Sequence, residues 1–159
     1  MHKSFSRKPA IIFFVFLAIC SVCSAEPSEA PDFKLPDTAG KTITLSNYKN
    51  KQQVLILFWT TWCPYCRREL KLLNDMSAQL EKEGTQILAV NVEEPGYKVS
   101  NFIKNYGLGF KVLLDRDGSV ASSYGILGVP TYVLIDKKGN KRFQENFLPL
   151  EEYKKLIAQ

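Results

Sequence analysis

Short apolar runs alternate along the chain with segments of helical periodicity. Residues 54–59 form an uninterrupted apolar run, which is typical of a strand buried on both faces of a sheet. A helical repeat of apolar positions follows as far as Lys82, and residues 86–92 form a second buried strand. This pattern predicts a parallel strand–helix–strand unit.

Shorter elements complete the pattern on both sides of this unit. Residues 32–48 alternate around a Gly40-Lys41 turn, which predicts an N-terminal β-hairpin. After the second buried strand the sequence predicts a helix at 99–106, an extended segment at 110–114 and a helical turn at 119–124. Two strands joined by a tight turn follow at 131–135 and 141–147, and a final amphipathic helix covers 150–158. This order predicts an α/β domain with parallel strands first and an antiparallel hairpin last.

The first 25 residues have the pattern of an export signal. A basic start precedes an apolar run over 10–19, and small residues up to Ala25 precede Glu26. We predict cleavage after Ala25 and an exported domain over 26–159, in the periplasm or on the outer face of the cytoplasmic membrane. An uncleaved membrane anchor is the alternative, although the apolar run is short for a span of about 20 residues.

Composition and charge exclude several classes of function. The chain has 159 residues, 45% of them hydrophobic, which fits one globular domain rather than a disordered chain. Three of its 21 cations and none of its acids lie in residues 1–25, which leaves 18 cations against 16 acids in the rest. This near balance argues against a nucleic-acid partner. The single histidine of the chain is His2, which lies outside the predicted domain. The domain therefore cannot contain a histidine-based triad or a multi-histidine metal site.

The candidate chemistry lies at Cys63-Pro64-Tyr65-Cys66, where the first buried strand meets the helix. Free N–H groups and the dipole at a helix start stabilise a thiolate, which is the attacking species in disulfide exchange. Pro64 suits the first helical turn, and Cys66 lies on the same side of the helix as Cys63. We therefore predict Cys63 as the nucleophile and Cys66 as the shielded resolving thiol.

Two other interpretations of these cysteines are weaker. A structural disulfide across two residues closes so short a loop that it stabilises a fold little. A zinc site shared with Cys20 and Cys23 would need that pair to remain after export, and the pairs lie too far apart for a zinc ribbon. We expect no metal site, and no cofactor other than the redox-active disulfide.

A second feature is Pro130, which directly precedes the strand predicted at 131–135. Proline cannot donate to a sheet ladder, and the bond before a proline is the common site of a cis peptide. The residues alone leave Pro130 as either an ordinary trans proline that opens a strand or a cis proline.

These motifs together resemble the TlpA/ResA-like group of exported thiol-disulfide oxidoreductases. The resemblance covers residues 30–158 and is carried by Ala30-Pro31-Asp32-Phe33, by residues 58–69 around the cysteines and by residues 124–131. It implies a thioredoxin fold, with a central mixed β-sheet flanked by helices and an N-terminal β-hairpin extension. It also implies that Pro130 is cis and faces the cysteines, and that the backbone of Val129 pairs with a bound substrate chain.

The resemblance also bears on the acid that would serve Cys66. Thioredoxins have a buried aspartate on the central strand, and Leu57 takes its place here. Glu94 matches an acidic residue that respiratory members of the group carry near the active site. Glu93 is the competing candidate, and a solvated loop acid is the alternative. We expect burial to raise the pKa of Glu94, so that it exchanges the thiol proton near neutral pH.

Several neighbours of the cysteines receive simpler interpretations. We assign substrate contacts to Trp62, Pro64 and Tyr65, in addition to Val129 and Pro130. We interpret Trp59 and Trp62 as packing around the rim of the thiols. Arg67 and Arg68 are interpreted as solvated cations on the helix surface rather than groups that act on the thiols.

The combined interpretation is an oxidoreductase that reduces disulfides of partner proteins. The resemblance implies apocytochrome c as one such partner and a membrane thiol-electron donor that recharges the protein, which we expect to be a monomer. Three alternatives stay open: a disulfide-donating oxidase, a non-catalytic binding or chaperone module, and a thiol peroxidase. The last arises because Thr60 stands three residues before Cys63, as a Thr or Ser does in peroxiredoxins.

Overall fold

The computed structural model describes residues 28–157, without the side chains of residues 152, 156 and 157. The predicted export signal over 1–25, its cleavage point and residue 158 of the last predicted helix lie outside the described residues. No helix between residues 28 and 157 has the length and apolar character needed to cross a membrane.

An N-terminal hairpin opens the described part of the chain. Strand β1 (Lys34–Pro36) pairs antiparallel with β2 (Thr42–Thr44), and Leu35 lies opposite Ile43. Both of these apolar side chains are buried, because the alternation of the hairpin turns them towards the main sheet. The N-terminal hairpin predicted from the sequence is confirmed.

The main sheet has five strands in the order β5-β4-β3-β6-β7. At its centre lies β3 (Gln53–Trp59), which pairs in parallel with β4 (Thr85–Val92), and β4 pairs in parallel with β5 (Lys111–Asp115). On the other side β6 (Thr131–Ile135) runs antiparallel to β3, and β7 (Lys141–Glu145) runs antiparallel to β6. The predicted order of parallel strands followed by an antiparallel hairpin is therefore correct.

Four α-helices between residues 28 and 157 flank this sheet: α1 (Pro64–Lys82), α2 (Gly96–Tyr106), α3 (Ser119–Ser123) and α4 (Leu150–Ile157). Helix α1 begins where its sequence predicts, since Cys63 is the extended N-cap residue and Pro64 occupies the first helical position. It ends at Lys82, and two residues later Gly84 has a φ of +77°, which suits a residue without a Cβ.

Strand β3 separates two apolar layers, and all seven of its residues are buried. Leu55, Leu57 and Trp59 face α1, α2 and α4, where they meet apolar side chains such as Leu70, Leu73, Val99 and Tyr153. Val54, Ile56 and Phe58 face the N-terminal hairpin and α3. Burial on both faces explains why this strand is a continuous apolar run rather than an alternating one.

Two boundaries differ from those predicted by more than one residue. Helix α2 begins at Gly96 rather than Val99, because the carbonyl oxygen of Pro95 accepts the N–H groups of Lys98 and Val99 and starts a helical turn there. Strand β7 ends at Glu145 rather than Phe147. The next residue, Asn146, turns its side-chain amide to the carbonyl oxygen of Pro130 at 3.0 Å instead of continuing the strand.

Candidate active site

Cys63 and Cys66 form a disulfide at the point where β3 passes into α1. Their Cα atoms lie 5.2 Å apart, and the backbone N–H of Cys66 points at Cys63 Sγ, with the nitrogen at 3.1 Å. Cys66 is fully buried within the apolar layer under the helix. An N–H aimed at the first sulfur is the arrangement that stabilises a thiolate at Cys63.

This asymmetry predicts different reactivities for the two thiols. In the reduced protein, iodoacetamide should alkylate Cys63 at least about tenfold faster than Cys66 at neutral pH, because the Cys66 N–H stabilises the Cys63 thiolate, although both cysteines are buried, with 3% and 0% of their surface exposed. Peptide mapping after short labelling times measures the two rates. Equal rates would contradict the assignment of Cys63 as the nucleophile.

The loop before β6 closes over the disulfide. The peptide bond between Val129 and Pro130 is cis, and the carbonyl oxygen of Val129 lies 3.6 Å from Cys63 Sγ. Thr131 Oγ1 donates to the carbonyl oxygen of Gly128 at 2.7 Å, which ties the loop together from within. The structure therefore has the cis bond and the contact with the cysteines that the resemblance implies.

Exposed apolar side chains surround this contact. Trp62 and Tyr65, which flank Cys63 in sequence, are 64% and 65% exposed. Leu127, two residues before Val129, and Phe147, next to the Asn146 that bonds Pro130, are also exposed. Large apolar groups exposed in the segments that adjoin a reactive sulfur are suited to contact with a partner protein.

Trp59 does not belong to this rim. It is fully buried at the end of β3, and its ring packs against Phe102 with the ring centres 5.1 Å apart. The interpretation of Trp59 as rim packing is wrong, because the last residue of a central strand still lies inside the core. Trp62, beyond the strand, is the tryptophan that reaches the surface.

Glu94 is buried just beyond the end of β4 and accepts four hydrogen bonds. The Thr61 N–H and hydroxyl donate to it at 2.6 Å each, Asn91 Nδ2 donates at 2.8 Å, and Lys98 Nζ lies at 2.9 Å. Glu93 turns outward into solvent instead. The structure thus places Glu94, and not Glu93, at the active-site loop.

The predicted titration of Glu94 is wrong. Burial does act to raise the pKa of its carboxyl, but the hydrogen bonds from Asn91, Thr61 and Lys98 outweigh burial and hold the pKa below its ordinary value. None of the described hydrogen bonds of Glu94 reaches a cysteine. It is therefore an ionised anchor for the Thr61 backbone rather than a carboxyl poised near neutral pH.

A second buried acid, Glu69, was missed in the sequence. It lies on α1 three residues after Cys66, and it accepts a hydrogen bond of 3.0 Å from the Tyr132 hydroxyl. Burial, and then the charge of Glu69, raise the pKa of Tyr132 well above its usual range. In the sheet Tyr132 pairs with Leu57, which takes the place of the thioredoxin aspartate. The Glu69 carboxyl therefore approaches that position from helix α1 rather than from the central strand. The signal in the sequence is the spacing of three residues between Cys66 and Glu69, which places both side chains on one face of the helix.

The two arginines after Cys66 differ from each other. Arg68 is 74% exposed, as a solvated cation would be, although its Nε lies 3.6 Å from Glu69. Arg67 instead donates from Nε and Nη2 to the carbonyl oxygen of Thr61, at 3.1 and 2.9 Å. Both residues are exposed cations on the helix surface, as predicted, but Arg67 also bonds the backbone of the active-site turn, which was not predicted.

Thr60, which kept a peroxidase open, does not act on the cysteine in this structure. Its hydroxyl is buried and has no hydrogen-bond partner within residues 28–157. Cys63 Sγ is met instead by the Cys66 N–H and the Val129 carbonyl. The site has the parts of a thiol–disulfide exchange centre: a helix-start sulfur, a shielded second sulfur and a cis-proline loop beside them.

Comparison with known proteins agrees with this geometry. The AhpC/TSA family matches residues 27–143. The thiol-disulfide oxidoreductase ResA of Bacillus thuringiensis is 37% identical over 82% of this chain and 77% of its own, and ResA of Bacillus subtilis is 42% identical over 72% and 64%. The crystal structure of a candidate DsbE thiol:disulfide interchange protein from Chlorobium tepidum superposes with a TM-score of 0.74 at 31% identity, covering 84% of this chain and 94% of the other. The chain therefore belongs to the AhpC/TSA family of thioredoxin-fold proteins and, within it, to the thiol-disulfide oxidoreductases of the ResA type.

Proposed function

We propose that this protein reduces disulfide bonds of partner proteins outside the cytoplasm, with Cys63 as nucleophile and Cys66 as resolving thiol. The observation that carries the proposal is the surface around Cys63. It combines a helix-start sulfur, the exposed aromatic side chains of Trp62 and Tyr65, and the Val129 carbonyl at 3.6 Å from the sulfur.

The reaction proceeds in two exchanges that conserve sulfur, protons and electrons. The Cys63 thiolate attacks one sulfur of the partner disulfide, that bond breaks, and the other partner sulfur leaves as a thiolate that takes up a proton. Cys66, deprotonated, then attacks Cys63 Sγ, and the second partner sulfur leaves as a thiol. Two electrons pass to the partner, and the Cys63–Cys66 disulfide remains.

The surface supports an extended partner chain as substrate. A chain lying along the cis-proline loop would pair with the backbone of Val129, and Pro64, Trp62 and Tyr65 would contact its side chains. Main-chain pairing binds a strand without regard to sequence, and exposed aromatic groups add affinity. The active-site disulfide is the only redox group that this mechanism needs, and it requires no metal or other cofactor.

The direction of electron flow rests on the surroundings of the Cys63 sulfur. Strong oxidants of this type stabilise the thiolate with an added positive charge, and here Pro64 and Tyr65 stand between the cysteines. The Arg67 guanidinium is engaged by the Thr61 carbonyl, and that of Arg68 lies over the Tyr65 ring at 5.7 Å. With no cation between the two cysteines and neither guanidinium bonded to a sulfur in the described contacts, the pair favours the disulfide, and its dithiol is a reductant.

The compartment and the partners complete the proposal. An export signal over 1–25 would place the domain over 26–159 in the periplasm or on the outer face of the cytoplasmic membrane. A reductant is useful there for thiols that must escape oxidation, such as the CxxCH pair of apocytochrome c. We propose a monomer recharged by a membrane thiol-electron donor, with no role for nucleic acid.

Equilibration with glutathione tests the direction. We expect the Cys63–Cys66 pair to remain mainly a disulfide in a buffer poised near about −200 mV, a value typical of oxidising folding compartments. Acid quenching and thiol alkylation give the reduced fraction of the full chain, with Cys20 and Cys23 replaced by serine. A pair that is fully reduced in that buffer would be an oxidant, and the proposed direction would be wrong.

A further inference from the structure

Charged side chains hold Thr61 from two sides. This residue lies in the turn between β3 and α1, two positions before Cys63. Its N–H and its hydroxyl donate to the two carboxylate oxygens of Glu94, both at 2.6 Å. Its carbonyl oxygen accepts two hydrogen bonds from Arg67, at 3.1 and 2.9 Å. Each polar group of Thr61 therefore has a charged partner, and charge-assisted hydrogen bonds are the strong ones.

Both charged partners make further contacts. Glu94 is buried, and Asn91 and Lys98 hold its oxygens at 2.8 and 2.9 Å. The Arg67 guanidinium carbon lies 5.9 Å from the centre of the Phe102 ring, a cation–π arrangement with α2. The planar guanidinium of arginine can donate two hydrogen bonds to one carbonyl oxygen and stack on an aromatic ring at the same time. A lysine ammonium cannot do both.

These contacts enclose the redox pair. Arg67 directly follows Cys66, so its bonds to Thr61 close the segment 61–67, which contains both cysteines, into a ring of hydrogen bonds. A segment held at both ends keeps the two sulfurs close in the dithiol as well as in the disulfide. Groups held close react as if at high effective concentration, which favours formation of the bond between them.

We propose that Arg67 is a positioning residue which, with Glu94, clamps Thr61 and thereby shifts the Cys63–Cys66 equilibrium towards the disulfide. Arg67 acts through the Thr61 backbone and touches neither sulfur in the described contacts. The equilibrium concerned is the same whether the protein passes electrons to its partner or takes them, so the proposal does not depend on the direction proposed above.

A simple charge effect of Arg67 would have the opposite sign. A cation near Cys63 stabilises the thiolate and so favours the reduced pair, and its removal would favour the disulfide. The clamp predicts that removal favours the dithiol. The same neighbourhood offers a matched control, because Arg68 has the same charge one residue later and makes no described contact with Thr61.

The test is the equilibrium constant with glutathione, in which two electrons pass from the protein dithiol to one oxidised glutathione and two reduced glutathiones leave. Arg67→Ala, Arg67→Lys, Arg68→Ala and the parent are compared as full chains, with Cys20 and Cys23 replaced by serine throughout. We expect both Arg67 variants to lower the constant for disulfide formation about tenfold, which is about 30 mV for a two-electron couple. Arg68→Ala should stay within about twofold of the parent.

A second measurement separates geometry from charge. The pH at which Cys63 alkylation reaches half its maximal rate should be the same in Arg67→Lys and the parent, since the charge is retained, while the equilibrium constant falls. A parental constant in Arg67→Lys, an increased constant in Arg67→Ala, or an equal fall in Arg68→Ala would each overturn the clamp.

Discussion

Replacing Cys63 by serine should abolish disulfide exchange, whereas replacing Cys66 by serine should trap the partner. Without the Cys63 sulfur no thiolate exists at the helix start, and we expect the rate of disulfide reduction to fall by about 10³-fold or more, as for other removed covalent nucleophiles. Without Cys66 the first exchange still occurs, but the mixed disulfide at Cys63 has no resolving thiol and accumulates.

Non-reducing gels and mass spectrometry of the trapped species measure this outcome. The Cys66→Ser chain, in the Cys20→Ser and Cys23→Ser background, is mixed with an oxidised peptide that contains the CxxCH sequence of an apocytochrome c. An adduct through Cys63 is expected, and the matching Cys63→Ser chain serves as the control. An adduct through Cys66 in the Cys63→Ser chain, or exchange that survives loss of Cys63, would contradict the assigned roles.

The same variants address the peroxidase alternative. A peroxidase would turn over hydrogen peroxide with a thiol reductant at the rate set by Cys63, with or without a disulfide partner. We expect no such turnover by the parent chain, since the Thr60 hydroxyl is buried without a described partner instead of facing Cys63 Sγ. If the parent chain turns over hydrogen peroxide and Cys63→Ser does not, the peroxidase alternative is correct.

The central strand and the start of α1 were predictable because local chemistry determines them. Residues 54–59 are apolar on both faces, and a short run of that kind is typical of a central strand in a covered sheet. Cys63 followed by Pro64 determines the helix start in the same way, since proline suits the first turn. The position of the nucleophile followed from these two features together.

The polar side of the site could not be predicted as well, because it depends on contacts between distant residues. Nothing near Glu94 in the sequence indicates that Thr61, 33 residues earlier, donates two hydrogen bonds to it. Burial alone would raise the pKa of a carboxyl, and only the count of its donors reverses the sign. The hydrogen bonds of the exposed Arg67 could not be predicted for the same reason, since their acceptor is a backbone carbonyl and not a charged side chain.

Replacing Glu94 by glutamine should destabilise the fold by about 1.5–3 kcal/mol at neutral pH, the usual range for hydrogen bonds to a charged group. Glutamine keeps the shape but loses the charge that Lys98 and the Thr61 donors face. Urea unfolding followed by circular dichroism measures the difference. The matched control is Glu93→Gln one residue earlier, which changes the same charge at an exposed side chain and should cost less than about 0.5 kcal/mol.

The pH dependence of that difference has a definite sign. The pKa of Glu94 is lower in the folded protein than its ordinary value of 4.5, so the folded state binds its proton less readily than the unfolded chain does. Its contribution is therefore complete above about pH 5 and is lost as the pH falls below 4.5 towards the lower folded value. The gap in unfolding free energy between the parent and Glu94→Gln should narrow over that acidic range. A gap that instead narrows as the pH rises from about 4.5 towards 7 would mean that burial outweighs the hydrogen bonds and raises the pKa of the folded carboxyl towards neutrality, as for an acid serving Cys66.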